Sequence, residues 1–237
     1  VSGILFSKHN DALDKILGRF ASLGYNVSYG LLNTSDYGVP QDRHRVIIVG
    51  YQTHVGKFFK PGPATTSDDK PTLRSAIGHL AESAVPALNQ TYANPGLQIP
   101  NHEYLVMGYS PIYMSRNRVR AWDQPSFTIQ AGARHAPIHP SAPKMKQVAK
   151  DKFEFEPGYE YRRVTVREAA CIQTFPPGHV FIYENVTDGY KMIGNAVPVE
   201  FARQLALKIR TDLRGFKRKA PPIAKGSVLH FDEVVNE

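Results

Sequence analysis

The chain has 237 residues, of which 42% are hydrophobic and 21% charged, with 29 Lys and Arg against 21 Asp and Glu and a single Cys. That length suits one large domain, or one domain with a smaller companion. One cysteine excludes an internal disulfide and fits a reducing cytoplasm. No apolar run approaches the roughly 18 residues of a membrane span, and no signal-peptide pattern opens the chain. The net charge of +8 and pI near 9.5 favour a polyanionic partner, although a basic soluble protein with no nucleic-acid role would show the same balance.

The opening "VSGILFSKHN" has no methionine and turns apolar at once, so the sequence is expected to begin partway through an element. "HNDALDKILGRFASLG" (9–24) carries Leu13, Ile16, Leu17 and Phe20 as a helical stripe, with Asn10 or Asp11 to cap it and Gly24 to stop it. "YNVSYGLLN" (25–33) reads as a strand. The turn around Asp36, Gly38 and Pro40 leads into a second, buried strand over Arg45–Tyr51. So short a connection predicts antiparallel pairing, as at the edge of an α/β sheet. If extended structure begins at Gln41, then Gln41, Arg43 and Arg45 project to one side at the mouth of that strand.

Residues 57–100 turn loop-rich, with one short helix expected at "TLRSAIGHLA" (72–81). Residues 101–160 mix aromatic, proline, glycine and basic residues, with "SFTIQA" a candidate strand, and read as a small irregular domain. Arg116, Arg118 and Arg120 alternate within "MSRNRVRAW", and Arg134 follows. Guanidinium forks of this kind match guanine edges or clamp phosphates, and a solvated basic face is the plainer alternative. His135 and His139 are four apart, but Pro137 and Pro140 argue against a metal-binding helix. In "YRRVTVREAACIQTFP", Thr165 and Glu168 have capping-box spacing, and Cys171 falls on the apolar side as an inert thiol. "KMIGNAVP" reads as a tight loop entering a last helix near Val199–Leu213. There Gly194 lets backbone approach closely, Asn195 tolerates unusual dihedrals, and free N–H groups can hold an anion. The tail from residue 215 reads as weakly ordered.

The order of these segments resembles the C-terminal half of a bacterial DNA cytosine-5 methyltransferase of the restriction-modification type. "QDRHR" before a strand, a basic variable region, "RRVTVREAACIQTFP" and then "YKMIGNAVP" match that family along nearly the whole chain. "NHEYLVMGYSPIYMSRNRVRAWDQPSFTIQAGARHAPIHPSAPKM" (101–145) is similar to the recognition region of GGCC-targeting members.

The resemblance implies an α/β fold: the C-terminal part of a class I S-adenosylmethionine-dependent methyltransferase sheet with a small irregular target-recognition domain. The boundaries it implies are 1–56 for part of the catalytic domain, 57–160 for linker and target recognition, 161–214 for the return to the catalytic domain, and 215–237 for a basic tail. It implies double-stranded DNA as substrate, S-adenosylmethionine as cofactor and a bacterial cytoplasmic location. Arg45 would meet the flipped cytosine at O2, Arg43 would brace that pocket and Gln41 would hold the turn. Asn195 and Ala196 would border the cofactor. Arg118 and Arg120 would read bases, with Arg134 a further reader and Arg116 on phosphate. Arg163, Arg167 and Glu168 would tie the recognition domain to the catalytic one. The family's cofactor fingerprint (Phe-x-Gly-x-Gly), its Pro-Cys nucleophile and its Glu-Asn-Val general acid are expected outside the chain, in an N-terminal catalytic half, so that this chain alone is inactive. A non-catalytic, sequence-specific DNA-binding module is the competing reading, and a small-molecule α/β enzyme a third.

Overall fold

The computed structural model describes residues 2–6, 9–62, 69–80, 82–216 and 224–231. They gather into two compact units. One comprises Val1–Asn33, His44–Ala64 and Ala202–Glu237, the other Thr34–Arg43 and Thr65–Phe201.

The first unit is a helix against a small mixed sheet. Helix α1 (Asn10–Ser22) buries Leu13, Leu17 and Ala21 at a four-residue spacing and packs Leu13 and Leu17 against Val27. Ile16 and Phe20, expected in that stripe, are 38% and 43% exposed, and Phe20 meets β1 only edge-on at the Tyr25 ring. Neither Asn10 nor Asp11 caps α1; the N-cap position is His9, which makes no capping hydrogen bond. Strand β1 (Tyr25–Asn33) pairs antiparallel with β2 (His44–Gln52), in register from Tyr25 opposite Gln52 to Asn33 opposite His44. The expected burial of β2 does not hold: Val46–Val49 are half-buried, since β2 lies at the sheet edge with β1 its sole strand partner among the described residues. The strand begins at His44, one residue before the expected Arg45, and the condition that extended structure reach back to Gln41 is not met. Part of the supposedly loose tail is ordered. Strand β7 (Val228–His230) pairs parallel with β1, and Phe231 is buried against Phe59. Residues 217–223 and 232–237 of that tail lie outside the described residues.

The second unit contains α2 (Leu73–Ile77), two short strand pairs, β3 (Val85–Pro86) with β4 (Glu103–Tyr104) and β5 (Lys146–Ala149) with β6 (Lys152–Glu154), and then α3 (Val166–Ile172) and α4 (Val186–Asn195). Helix α5 (Val199–Asp212) begins here, and its residues from Ala202 belong to the first unit. The main core joins Leu73 and Ile77 of α2, Ala169, Ala170 and Ile172 of α3, and Tyr190 and Ile193 of α4 around Leu105 and Ile129. A second cluster, Tyr113, Val119, Ile138, Ala142 and Met145, lies under the recognition segment. "SFTIQA" forms no strand; Ser126 makes one isolated bridge with Gln41, and side chains take up the backbone of Ile129 instead.

Helix α3 starts on the capping box expected for it. The Thr165 hydroxyl accepts the Glu168 N–H, and the Glu168 carboxylate accepts the Thr165 N–H. That carboxylate is fully buried and receives both arms of Arg162 at 2.8 Å. Burial alone would raise its pKa, but the hydrogen bonds and charge of Arg162 outweigh it and hold it below the usual carboxylate value. Two buried histidines adjoin it. His102 donates from Nε2 to the Leu80 carbonyl and accepts from the Thr165 hydroxyl at Nδ1. His139 accepts the Ser141 N–H at Nδ1 and turns Nε2 to Glu168 at 3.5 Å. Burial lowers both histidine pKa values, that of His139 from 6.5 to about 4, against the pull of Glu168.

Both imidazoles are therefore neutral in the fold and become protonated on unfolding below the ordinary histidine value. Stability should fall as pH drops from about 6.5 towards 4, by roughly 2–3 kcal/mol for His139 alone. Denaturant unfolding at a series of pH values measures this; a flat profile between about pH 7 and pH 5 would refute it.

Candidate active site and nucleic-acid interface

The loop from Thr34 to Arg43 joins β1 to β2 and is closed by the Thr34 hydroxyl donating to the Gln41 carbonyl and the Thr34 N–H donating to that of Arg43. Gln41 is fully buried, and its Oε1 accepts the Ile129 N–H at 2.8 Å. Arg43 is buried too. Its Nη1 donates to the Ile129 carbonyl at 2.8 Å, and its Nη2 to those of Gly194 at 2.9 Å and Ala196 at 3.1 Å. The last two oxygens belong to the C-terminal end of α4, where the helix dipole favours a cation. Between them Asp42 takes the Thr128 hydroxyl on its carbonyl and pairs with Arg120 at 3.1 Å. Arg45, two residues on, enters β2 in the first unit opposite Leu32 and donates to the His44 carbonyl. Partial burial lowers its pKa from the ordinary arginine value.

"KMIGNAVP" is not the loop expected: Lys191–Asn195 complete α4, whose N-terminus Asn185 caps. Gly189 and Gly194 weaken its local helical signal, and contacts explain both. A Cβ at Gly189 would meet the Tyr183 ring at 2.6 Å. One at Gly194 would stand 2.3 Å from the backbone of Gln130 and Ala131, so the expected close backbone approach is to these residues. Asn195 has ordinary helical dihedrals and an exposed side chain. The helix entrance after Pro198 offers no free anion site at its first donors: Val199 N–H bonds the Gln173 carbonyl and Glu200 N–H the Thr174 hydroxyl. Ala196 is engaged at both backbone groups, by the Ile193 carbonyl and Arg43. Asn195 lines an open cleft of about 470 Å³ with Asp188, Lys191, Met192, Tyr183 and Ile182, the last 88% exposed.

The four arginines expected to meet DNA part company. Arg118 is buried over the Tyr113 ring and donates to the carbonyls of Tyr113 and Ile112, and Arg120 is paired with Asp42 over Phe127. Arg116 and Arg134 are exposed. Arg116 lines a cavity of about 150 Å³ with Thr128, Gln130 and His135. Arg163 spans the carbonyls of Leu105, Met107 and Gly108, and Arg167 those of Pro100 and Pro177. Asp42, Gln173 and Thr174 carried no sequence signal of their own, because their partners lie 20 or more residues along the chain, and Arg162 meets Glu168 only through the turn that leads into α3. Cys171 packs against the main core and burial raises its pKa, as befits an inert thiol. One correction concerns the general-acid motif. Its three letters do occur, at Glu184-Asn185-Val186, but after the Gln-x-Arg-x-Arg motif rather than before it, and there Asn185 starts α4 while Glu184 is exposed.

Arg43 thus brings together three segments distant in sequence: its own loop, Ile129 and the end of α4. Residues 1–211 match the profile of the C-5 cytosine-specific DNA methylases, and the chain belongs to that family. Members use S-adenosylmethionine as methyl donor. The chain is 52% identical over 219 residues to the type II methyltransferase M.MthTI of Methanothermobacter thermautotrophicus, covering 91% of this chain and 65% of that protein. It is 46% identical over 217 residues to the type II methyltransferase M.NgoPII of Neisseria gonorrhoeae, covering 90% and 63%. It thus spans just under two thirds of the length of these curated relatives. A crystal structure described as that of a DNA modification methyltransferase encoded within an E. coli prophage shares the fold, with a TM-score of 0.59 at 17% identity over 89% of this chain and 67% of that one. The expected class of fold, a methyltransferase α/β architecture, is therefore confirmed.

Gly194→Ala should be among the most damaging small substitutions in the chain. Overpacking typically costs about 1–3 kcal/mol, and here the obstacle is the Gln130–Ala131 peptide, backbone that cannot swing aside like a side chain. Thermal melting should show a loss of at least that size, whereas Gly108→Ala, which meets nothing within 4 Å, should change little.

Proposed function

We propose that this chain supplies DNA recognition and part of the active site of a DNA cytosine-5 methyltransferase. The substrate is a cytosine in duplex DNA, within GGCC, and an N-terminal catalytic half supplies the cysteine nucleophile, the catalytic glutamate and most of the cofactor site. The observation that carries this reading is Arg43. Its guanidinium joins the Gln41–Arg43 loop to Ile129, within the 101–145 segment, and to Gly194 and Ala196 in the cofactor motif. A DNA-binding module without catalysis has no use for a buried charge devoted to that junction.

Chemistry on a paired base requires its extrusion from the stack. Arg45 then opposes the negative charge that develops at the cytosine O2, and its partial desolvation strengthens a fixed cation. Asn195 borders the cofactor, and the donor set around it suits one edge of S-adenosylmethionine: an amide, a carboxylate and an ammonium for a zwitterionic amino-acid end, beside apolar Met192 and Ile182. The cofactor, when bound, supplies the methyl group. The free edge of β2 and an open apolar cleft of about 590 Å³ lined by Ile4, Ala12, Val46 and Ile48 support docking of the N-terminal half on the first unit, and with it the inactivity of this chain alone. Among the described residues no helix is long and apolar enough to cross a membrane, and a cytoplasmic restriction-modification enzyme accords with the type II relatives.

In the assembled enzyme, Arg45→Ala should slow methyl transfer by roughly 10²–10³ while DNA affinity changes little. Single-turnover kinetics decide it; an unchanged chemical step removes Arg45 from catalysis.

Base reading falls to Arg134, since Arg118 and Arg120 already have partners in the fold, and Arg116 takes phosphate. Arg134→Ala should cost about 1–3 kcal/mol of discrimination at one guanine. Arg116→Ala should weaken every sequence alike and flatten the salt dependence, and Arg118→Ala should first lower the melting temperature. Bisulfite sequencing of randomised DNA after methylation, with binding measured across salt, separates these outcomes. Methylation centred on a site without GG would sink the GGCC assignment alone.

A further inference from the structure

Gln173 and Thr174, which follow α3, make more contacts than the end of a helix requires. Gln173 is fully buried, and its Nε2 donates to the Ile193 carbonyl at 2.8 Å, near the end of α4. Its own carbonyl accepts the Val199 N–H at 3.1 Å, and the Thr174 hydroxyl accepts the Glu200 N–H at 2.9 Å. Those two N–H groups open α5. Residues 194–198 are therefore clamped at both ends by two consecutive side chains and a carbonyl, while Arg43 holds their own carbonyls at Gly194 and Ala196.

The backbone points the same way. Thr174 has φ of 58°, and a β-branched residue in the left-handed region is under strain that persists only where its surroundings over-determine it. Ending α3 does not require threonine, because glycine would adopt this backbone freely. What threonine adds is the hydroxyl that caps α5. Gln173 is likewise retained at a cost, since its Oε1 is buried with no hydrogen-bond partner among the described residues. Its Nε2 contact to α4 is the return.

We propose that Gln173 and Thr174 are positioning residues that set the Asn195–Ala196 turn in the shape that borders S-adenosylmethionine. The proposal rests on the function given above, and neither residue touches the cofactor.

The test uses the assembled enzyme with Thr174→Gly, Thr174→Ser and Gln173→Met. Melting temperature, amide hydrogen exchange over residues 194–200, calorimetric affinity for S-adenosylmethionine, and KM against kcat are measured for each. Thr174→Gly relieves strain, so its melting temperature should hold or rise. It should nevertheless show faster exchange and roughly three- to tenfold weaker cofactor binding, expressed in KM rather than kcat. Gln173→Met, of similar volume, should weaken binding likewise, and Thr174→Ser should match the wild type. A merely structural role makes affinity follow melting temperature, so wild-type affinity in both Thr174→Gly and Gln173→Met would overturn the proposal alone. A wild-type enzyme that fails to bind S-adenosylmethionine would instead overturn the function on which it rests.

Discussion

A single guanidinium holds the second unit's functional loops in register. Burying Arg43 removes a full charge from water, a cost tolerable only with good hydrogen-bond geometry and opposing charge. Both are present. Three carbonyl oxygens receive its fork, and two of them lie at the C-terminal end of α4, where partial negative charge gathers. A lysine could not reproduce this, since its ammonium has no planar fork to span carbonyls from two segments. The neighbouring Gln41 engages the N–H of the same Ile129 whose carbonyl Arg43 holds, so the loop takes the place of a strand beside residues 126–129.

The same device recurs across the second unit. Its strands are short, so much of its backbone lacks ladder partners, yet buried carbonyls still require donors. Arginines supply them: Arg163 to residues 105–108, Arg167 to Pro100 and Pro177, and Arg118 to residues 112 and 113. Arg162 neutralises the buried Glu168 that starts α3. The net charge of +8 thus overstates the positive charge presented at the surface, because several of its cations are spent inside the fold. This separates Arg116 and Arg134 from the two arginines beside them in sequence, and it ties recognition to architecture. A change at Arg118 removes the donors to the carbonyls of Tyr113 and Ile112 and so alters the local fold.

The first unit is organised differently, by ordinary strand pairing, the amphipathic α1 and the larger part of α5, and its apolar surfaces are only partly satisfied. Ile16 and Phe20 on α1 and the half-buried run of β2 are side chains suited to a larger sheet and core. Surfaces of this kind accord with a chain that spans 65% and 63% of the lengths of two type II relatives.

What could be read from the sequence was what short-range chemistry controls. Helix α1, the β1–β2 hairpin, the Thr165–Glu168 capping box and α5 follow from periodicity and capping within a few residues, and the family likeness followed from motif order. Helix α4 could not be read, because Gly189 and Gly194 lower its intrinsic propensity and are explained only by the Tyr183 ring and the Gln130–Ala131 backbone packed against them. "SFTIQA" has a strand's composition but no strand to pair with, and β7 needed β1, some 200 residues away, to become a strand at all. The arginines show the limit most plainly. Four of them looked alike in sequence, and only the tertiary structure, by placing carbonyls or a carboxylate beside Arg118 and Arg120 and solvent beside Arg116 and Arg134, separated those held in the fold from those that are exposed.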